Sequence, residues 1–303
     1  MKRRDFASPP QSAAGFTLAE LAIAMVIIAL LLASAFIPLS TQMDLRAISD
    51  TQRSMDGIKE AIVGYAQANG RLPCPALATT ATGNSTAGVE QINTTPAGNP
   101  TNLATGFPYS PCTYAIGVLP WVTLGVPETD AWGRRFTYRV VGTYADGVKT
   151  NPANLVNTAL NANGDSNTAN QSINCTAPSP PPTQASFAMC TRGDLTVSTR
   201  STSTHAMATL ASEVPVVIVS HGKNGYGAYT PEGLAVSGSS GTDEPLNTVS
   251  GNAKNFISRE HSSLASSCSD TAAGQPFCEF DDVVAWISPS TLIARMVSAG
   301  RLP

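Results

Sequence analysis

One apolar stretch near the N-terminus, 14-AGFTLAELAIAMVIIALLLASAF-36, constrains the fold of this chain more than any other segment. After Glu20 the only polar side chain before Leu39 is Ser34. A helix over 16–39 would be about 36 Å long at about 1.5 Å per residue, which is enough to span a bilayer. A carboxylate at the centre of a membrane helix costs about 2.5–3.5 kcal/mol and therefore indicates a functional site. The sequence predicts a transmembrane helix in which Glu20 needs a partner.

The residues before this stretch predict its orientation. Lys2, Arg3 and Arg4 are basic, and basic residues beside a membrane helix stay on the cytoplasmic side. A secretory signal peptide would place its apolar core directly after them, whereas residues 5–14 are mostly polar or small. We therefore expect a single-pass membrane protein whose C-terminal bulk is exported.

Six residues at the start of the stretch, Gly15-Phe16-Thr17-Leu18-Ala19-Glu20, resemble the processing motif of type IV pilin and type II secretion pseudopilin precursors. The resemblance implies a leader at 1–15, which a prepilin peptidase removes by cutting after Gly15. It implies methylation of the new N-terminal residue, Phe16. It also implies that Glu20 neutralises the N-terminal amine of a neighbouring subunit when the helices stack into a filament.

Elementary electrostatics agrees with the role that the resemblance gives to Glu20. Cleavage after Gly15 creates a cation at one end of an apolar helix, and Glu20 is an anion about one turn further on. The two charges are poorly placed to meet within one chain, whereas an axially shifted neighbour brings them together. The alternative is an uncleaved signal anchor in which Glu20 lies near the membrane interface.

The helix is predicted to continue as an amphipathic segment over 40–69. Its apolar residues recur at spacings of three, four or seven, as one buried face of a helix requires, and Asn69-Gly70 supplies the stop signal. The residues of that face are Leu45, Ile48, Met55, Ile58, Ile62 and Tyr65. We expect this segment to pack against a globular head.

Beyond residue 70, short apolar segments alternate with polar loops, which is typical of a head that contains strands. Polar insertions are predicted near 76–110 and 147–204 from their composition. The predicted strands lie at 115–126, 135–142, 216–219 and 280–288, and Ser288-Pro289 opens a short helix. The sequence thus predicts an α+β, pilin-like fold, in which a long N-terminal helix packs on an antiparallel-sheet head at 70–303.

A second resemblance concerns the head. The turn Asp130-Ala131-Trp132-Gly133 is similar to a turn of the major pseudopilin of type II secretion, which implies that Trp132 lies in the core. The loop 222-GKNGYG-227 fits neither the Walker nor the Rossmann pattern, and it resembles the pseudopilin segment that holds calcium together with acidic residues downstream. The calcium ligands implied are Asn224, Asp243, Glu244, Asp281 and Asp282, whose oxygens suit that ion. The alternative is that these are solvated loop residues, and no other cofactor is expected.

Six cysteines lie on the predicted exported side. An even number in an oxidising compartment favours disulfides, each worth about 2–4 kcal/mol, and six cysteines allow about fifteen pairings. We favour sequential pairing, because each such pair brackets a loop that lacks apolar residues to hold it. The pairs are Cys74 with Cys112, Cys175 with Cys190, and Cys268 with Cys278. Free, buried cysteines are the alternative.

Catalysis and nucleic-acid binding are not expected. His205, His221 and His261 lack metal-ligand spacing, and neither a Gly-x-Ser-x-Gly elbow nor a His-Glu-x-x-His helix occurs. The net charge of −3 gives no basic footprint for DNA or RNA.

The sequence therefore predicts a structural subunit of a type IV pilus or a type II secretion pseudopilus. The head is large for a major subunit, whose copies pack closely, and this favours a minor one. The partners implied are other pilin or pseudopilin subunits, the prepilin peptidase and the assembly platform of the inner membrane. The implied location is the bacterial inner membrane with the head in the periplasm, or outside the cell once a pilus is assembled. The alternative function is a membrane-tethered binding module or adhesin that forms no filament.

Overall fold

The computed structural model describes residues 17–92, 112–145, 185–187, 189, 191–238, 241–249, 254–263 and 265–302, without the side chains of 31–41 and 143. The helices are α1 (Leu18–Asn69), α2 (Trp121–Leu124), α3 (Gly142–Ala145) and α4 (Pro289–Ser298), with a 3-10 helix at Glu244–Asn247. The strands are β1 (Ile116–Val118), β2 (Thr137–Val140), β3 (Leu195–Arg200), β4 (Met207–Val214), β5 (Val216–Ser220), β6 (Asn255–Ile257) and β7 (Val283–Ile287). The predicted α+β class, with a helix at the N-terminus, is confirmed. The chain divides into two compact units, Met1–Arg46 and Ala47–Pro303.

Helix α1 ends at the predicted stop signal. Gly70 has a φ of 73°, in the left-handed region that favours glycine, and its amide donates to the carbonyl of Ala66 at 2.7 Å. Arg301 donates to the carbonyl oxygens of Gln67 and Ala68 at 2.7 and 2.6 Å. Carbonyls in the last turn of a helix have no partner inside the helix, so this guanidinium supplies one.

The second unit has a hydrophobic core to which α1 contributes one face. Ile58 and Ile62 are fully buried there, and Met55 is nearly so. Leu45, predicted to belong to the same face, is 62% exposed and lies in the first unit. The buried face therefore begins later along the helix than the spacing of apolar residues suggests.

A four-stranded antiparallel sheet, in the order β1-β2-β5-β7, lies at the centre of the second unit. All five residues of β5 are buried, in agreement with the strand predicted at 216–219. A three-stranded sheet has the order β4-β3-β6, and its β3–β6 pair is parallel. The predicted antiparallel-sheet head is thus found, with this one parallel pair as a difference among the described strands. Parallel neighbours need a long connection, and the chain between β3 and β6 supplies one by passing through β4, β5 and the 3-10 helix.

Two predicted segments differ from the structure around Trp121. The strand expected over 115–126 stops at Val118, and α2 follows Pro120. Trp121 packs in a small apolar cluster with Ala76, Ala78, Ala87 and Val118. The described part of the predicted insertion at 76–110 therefore includes buried residues, because it covers this indole.

Two further expectations need correction. The predicted insertion at 147–204 contains strand β3, in which Leu195 and Val197 are fully buried. Trp132 is half-buried and is not a core residue. Asp130 is buried instead, and its Oδ1 accepts the amides of Trp132 and Arg134 at 2.9 Å. The turn is therefore held by a carboxylate and not by an indole.

The buried face of α1 provides a test of this core. Ile62→Ala should lower the free energy of unfolding by about 2–5 kcal/mol, since it removes a fully buried side chain and leaves a cavity. Leu45→Ala is the control on the same helix and should change it by about 0.5 kcal/mol or less. Chemical denaturation of the unassembled full chain in detergent measures both values. Equal costs for the two variants would contradict the described burial.

Candidate functional site

Reciprocal hydrogen bonds between Thr17 and Glu20 close the first turn of α1. The amide and the hydroxyl of Thr17 each donate to Glu20 Oε2 at 2.9 Å, and the amide of Glu20 donates to Thr17 Oγ1 at 3.3 Å. This is a capping box, in which Thr17 is the N-cap. Glu20 therefore has a partner in its own chain. This pair was not predicted, although the Thr-x-x-Glu spacing signals it.

An apolar surface begins inside the capping box and continues after it. Leu18 is 88% exposed. The side chains that are more than half exposed after it are Leu21, Ile23, Met25, Val26, Ile27, Ile28 and Leu30. Because 25–28 are consecutive and one turn takes about 3.6 residues, the apolar exposure runs around the helix. Within the described residues, no helix meets the length and hydropathy that crossing a membrane requires.

Three acids of the second unit form a cluster. Glu244 belongs to the 3-10 helix, and Asp281 and Asp282 directly precede β7. One carboxylate oxygen from each lies within 4.8 Å of the others. The loop after β5 packs against them so closely that a Cβ on Gly222 would lie 2.5 Å from Asp281 Cγ. Gly222 has a φ of 57° as well, so this position requires glycine.

Several oxygens of this cluster lack hydrogen bonds. Glu244 Oε2 and Asp281 Oδ1 are buried and accept none from the described residues. Asp282 Oδ1 also accepts none and lies 3.4 Å from His221 Nδ1. Burial raises the pKa of Glu244 to about 7 and that of Asp281 to about 6, and repulsion from neighbouring carboxylates adds to both shifts. Buried carboxylates of this kind are suited to a hard cation, and calcium prefers oxygen ligands.

The other two predicted ligands, Asn224 and Asp243, have hydrogen-bond partners of their own. Asn224 Oδ1 accepts the amide of Tyr226 at 2.8 Å, while its Nδ2 donates to Glu244 Oε1 at 2.8 Å. Asn224 thus positions Glu244, and its side-chain oxygen is bonded to the amide of Tyr226. The carboxylate of Asp243 accepts from Arg200 Nε at 2.7 Å and from Arg259 Nε at 2.9 Å. Successive side chains of a 3-10 helix diverge by about 120°, so Asp243 faces away from the site that Glu244 faces.

Two residues that were not predicted as ligands, Asn247 and His221, contact the cluster. Asn247 Nδ2 donates to Asp282 Oδ2 at 2.8 Å. His221 Nε2 lies 2.8 Å from Thr137 Oγ1, which fixes the imidazole beside Asp282. Both contacts join residues far apart in the chain, and no local pattern signals either of them.

Comparison with known proteins concerns the N-terminal segment. Residues 11–36 match the family model described as the prokaryotic N-terminal methylation motif. The motif indicates a type IV pilin-like or pseudopilin-type protein. Gly15 and Phe16, the predicted cleavage and methylation positions, fall within the match but outside the described residues. No curated protein and no solved structure matches this chain.

Two disulfides of this chain join cysteines as the sequence favours. Cys74 bonds Cys112 with an S–S distance of 1.99 Å, and Cys268 bonds Cys278 at 2.09 Å. Both pairings are therefore confirmed. Cys175 and Cys190 lie outside the described residues.

The raised pKa values predict how the stability of the protein depends on pH. Without a divalent cation, the melting temperature should fall as the pH rises from about 5 to 8. The folded state holds a proton on Glu244 up to a pKa of about 7, against an ordinary value of 4.5. Protonation of Glu244 therefore stabilises the folded state fully below the ordinary pKa, and this stabilisation is lost as the pH rises through the pKa of the folded state.

Thermal denaturation in a chelator, as a function of pH, measures this effect. Glu244→Gln should flatten the profile. Glu60→Gln, at a side chain that is 69% exposed, should leave it unchanged. A wild-type profile that rises over the same range would contradict the prediction.

Proposed function

We propose that this protein is a structural subunit of a filament, as a minor subunit of a type IV pilus or a type II secretion pseudopilus. The methylation motif at 11–36 carries the proposal. The large head at 70–303 supports a minor subunit, because the copies of a major subunit must pack closely. The proposed role is structural and not catalytic.

The exposed apolar surface of α1 supports assembly through this helix. Each Å² of apolar surface removed from water contributes about 25 cal/mol. Side chains such as Leu18, which is 88% exposed, would therefore contribute favourable free energy when they are buried against another helix or lipid. We propose that lipid of the inner membrane covers this surface before assembly and that helices of other subunits cover it afterwards. The prepilin peptidase and the assembly platform of that membrane are the partners of these two stages.

The geometry of Glu20 supports the pairing with a neighbouring subunit. Both hydrogen bonds from Thr17 end on Oε2, and Oε1 accepts none from the described residues. Oε1 is therefore available to the amine that cleavage after Gly15 would create on Phe16 of another copy. The capping box would hold the carboxylate in one orientation for that contact.

We propose calcium as the ion of the acidic cluster, held by Glu244, Asp281 and Asp282. When bound, it would supply positive charge that offsets the repulsion among the three carboxylates. The unpaired, buried oxygens of Glu244 and Asp281 support this assignment. The three ligands come from two separate segments, so binding would join the 3-10 helix to the start of β7.

Processing is tested on the protein from its own membranes. Intact mass and N-terminal sequencing of the protein from its own membranes should give a chain that begins at a methylated Phe16. A chain that begins at Met1 would instead support an uncleaved, tethered binding module.

The Glu20→Ala variant should be processed like the wild type but should be absent from sheared filaments, because a neighbour's amine would be left without a counter-charge. Glu60→Ala, at an exposed carboxylate farther along α1, is the control and should assemble. Normal incorporation of the Glu20→Ala variant would refute the proposed role of this carboxylate.

Calcium binding is tested by thermal denaturation at pH 8. Calcium at about 100 times its Kd should stabilise the folded chain by about 2.7 kcal/mol, because it binds the folded state alone. Asp281→Asn should abolish most of this gain, whereas Asp50→Asn, at a side chain that is 63% exposed, should retain it. Stabilisation that is equal in wild type and Asp281→Asn would place the ion elsewhere.

A further inference from the structure

The side chain of Asn247 contacts two parts of the second unit at once. Its Nδ2 donates to Asp282 Oδ2 at 2.8 Å and to the carbonyl of Ile257 at 2.9 Å. Its Oδ1 accepts the amide of Ile257 at 2.8 Å. Ile257 is the last residue of β6, so Asn247 bonds both main-chain groups of that residue as a neighbouring strand would. The same amide thus holds a proposed calcium ligand and the end of a strand.

The geometry of the 3-10 helix explains how one short element does this. A 3-10 helix has about three residues per turn, so side chains three positions apart lie on the same side. Glu244 and Asn247 have this spacing, and both are buried and directed at the acidic cluster. Glu244 supplies a ligand, and Asn247 fixes another.

The opposite side of the same helix is bonded to the three-stranded sheet. Asp243, which precedes the helix, accepts from Arg200 at the end of β3 and from Arg259, two residues after β6. All three side chains are at most 8% exposed, so these are buried ion pairs. A displacement of the 3-10 helix would therefore disturb both β3 and β6.

We infer that Asn247 is a positioning residue that couples occupancy of the acidic cluster to the order of the three-stranded sheet. The inference rests on the proposed calcium site and adds a consequence to it. An ion that draws Glu244 and Asp282 together fixes the 3-10 helix. The fixed helix holds β6 through Asn247 and β3 through Asp243.

Hydrogen exchange of the full chain in detergent, with and without calcium, tests the coupling. In the wild type, calcium should slow exchange of the amides of β6 and β3 as well as those of the loop 222–227. The amides of β1, at the far edge of the other sheet, should be unaffected. Slower exchange in the loop but not in β6 would overturn the inference and leave the calcium site intact.

Two asparagine variants separate positioning from simple structural support. Asn224→Ala removes a side chain that contacts Glu244 but not β6, and Asn247→Ala removes one that contacts both Asp282 and β6. Each should weaken calcium binding by about 10–100-fold, the usual effect of losing a residue that orients a ligand. At saturating calcium, the Asn224 variant should keep the protection of β6, and the Asn247 variant should lose it.

The outcomes are distinguishable. If the role of Asn247 is structural support alone, its variant will lower the protection of β6 equally with and without calcium, and the inference is wrong. If calorimetry with calcium chloride shows no binding to the wild type, the proposed calcium site fails, and the inference that rests on it fails too. Filament assembly through Glu20 is unaffected by either result.

Discussion

Burial of β5 is the constraint on which the second unit depends. This strand is paired on both sides, with β2 and with β7, and its residues are buried. Its pairing with β7 places Ser220 opposite Val283, so His221 leaves the sheet beside Asp282. The core therefore determines where the glycine-rich loop and the acidic cluster meet. An apolar strand thus positions the glycine-rich loop against the two aspartates of the cluster.

The two adjacent buried acids Asp243 and Glu244 differ in their charge partners. Asp243 has two arginines, Arg200 and Arg259, and Arg259 also lies over the rings of Phe277 and Phe280. Among the described residues, no cation is paired with Glu244. Its carboxylate accepts hydrogen bonds from two neutral groups, the side-chain amide of Asn224 and the backbone N–H of Asp281. A buried carboxylate without a counter-charge is costly. The fold pairs one of these acids with two arginines and leaves Oε2 of the other without a hydrogen bond from the described residues.

Local signals in the sequence predict local features of this structure. Residues close to each other in the chain predict the stop of α1 at Gly70 and the cap of α4 by Ser288. Two disulfides follow from the pairing of cysteines that are consecutive in the sequence and bracket a loop. The Thr17–Glu20 capping box belongs to the same class, since its spacing is readable in the sequence.

Long-range contacts could not be predicted in the same way. Strand β3 is rich in polar residues, and only packing in three dimensions buries Leu195 and Val197. Asn247 gains its role from Ile257 and Asp282, which lie 10 and 35 residues away. Sequence periodicity carries no information on such pairs. The four acids were predicted as one set, whereas only the structure shows that Asp243 pairs with arginines while the other three cluster.

The close approach of Gly222 to Asp281 has a consequence for the evolution of such chains. The acids of a cation site can exchange among aspartate, glutamate and asparagine, since each supplies oxygens. Gly222 has no such freedom, because a side chain there would meet both the backbone and the carboxylate of Asp281. Among related sequences, the glycine that follows the buried strand should therefore be a more faithful marker of the proposed cation site than any one of its acids.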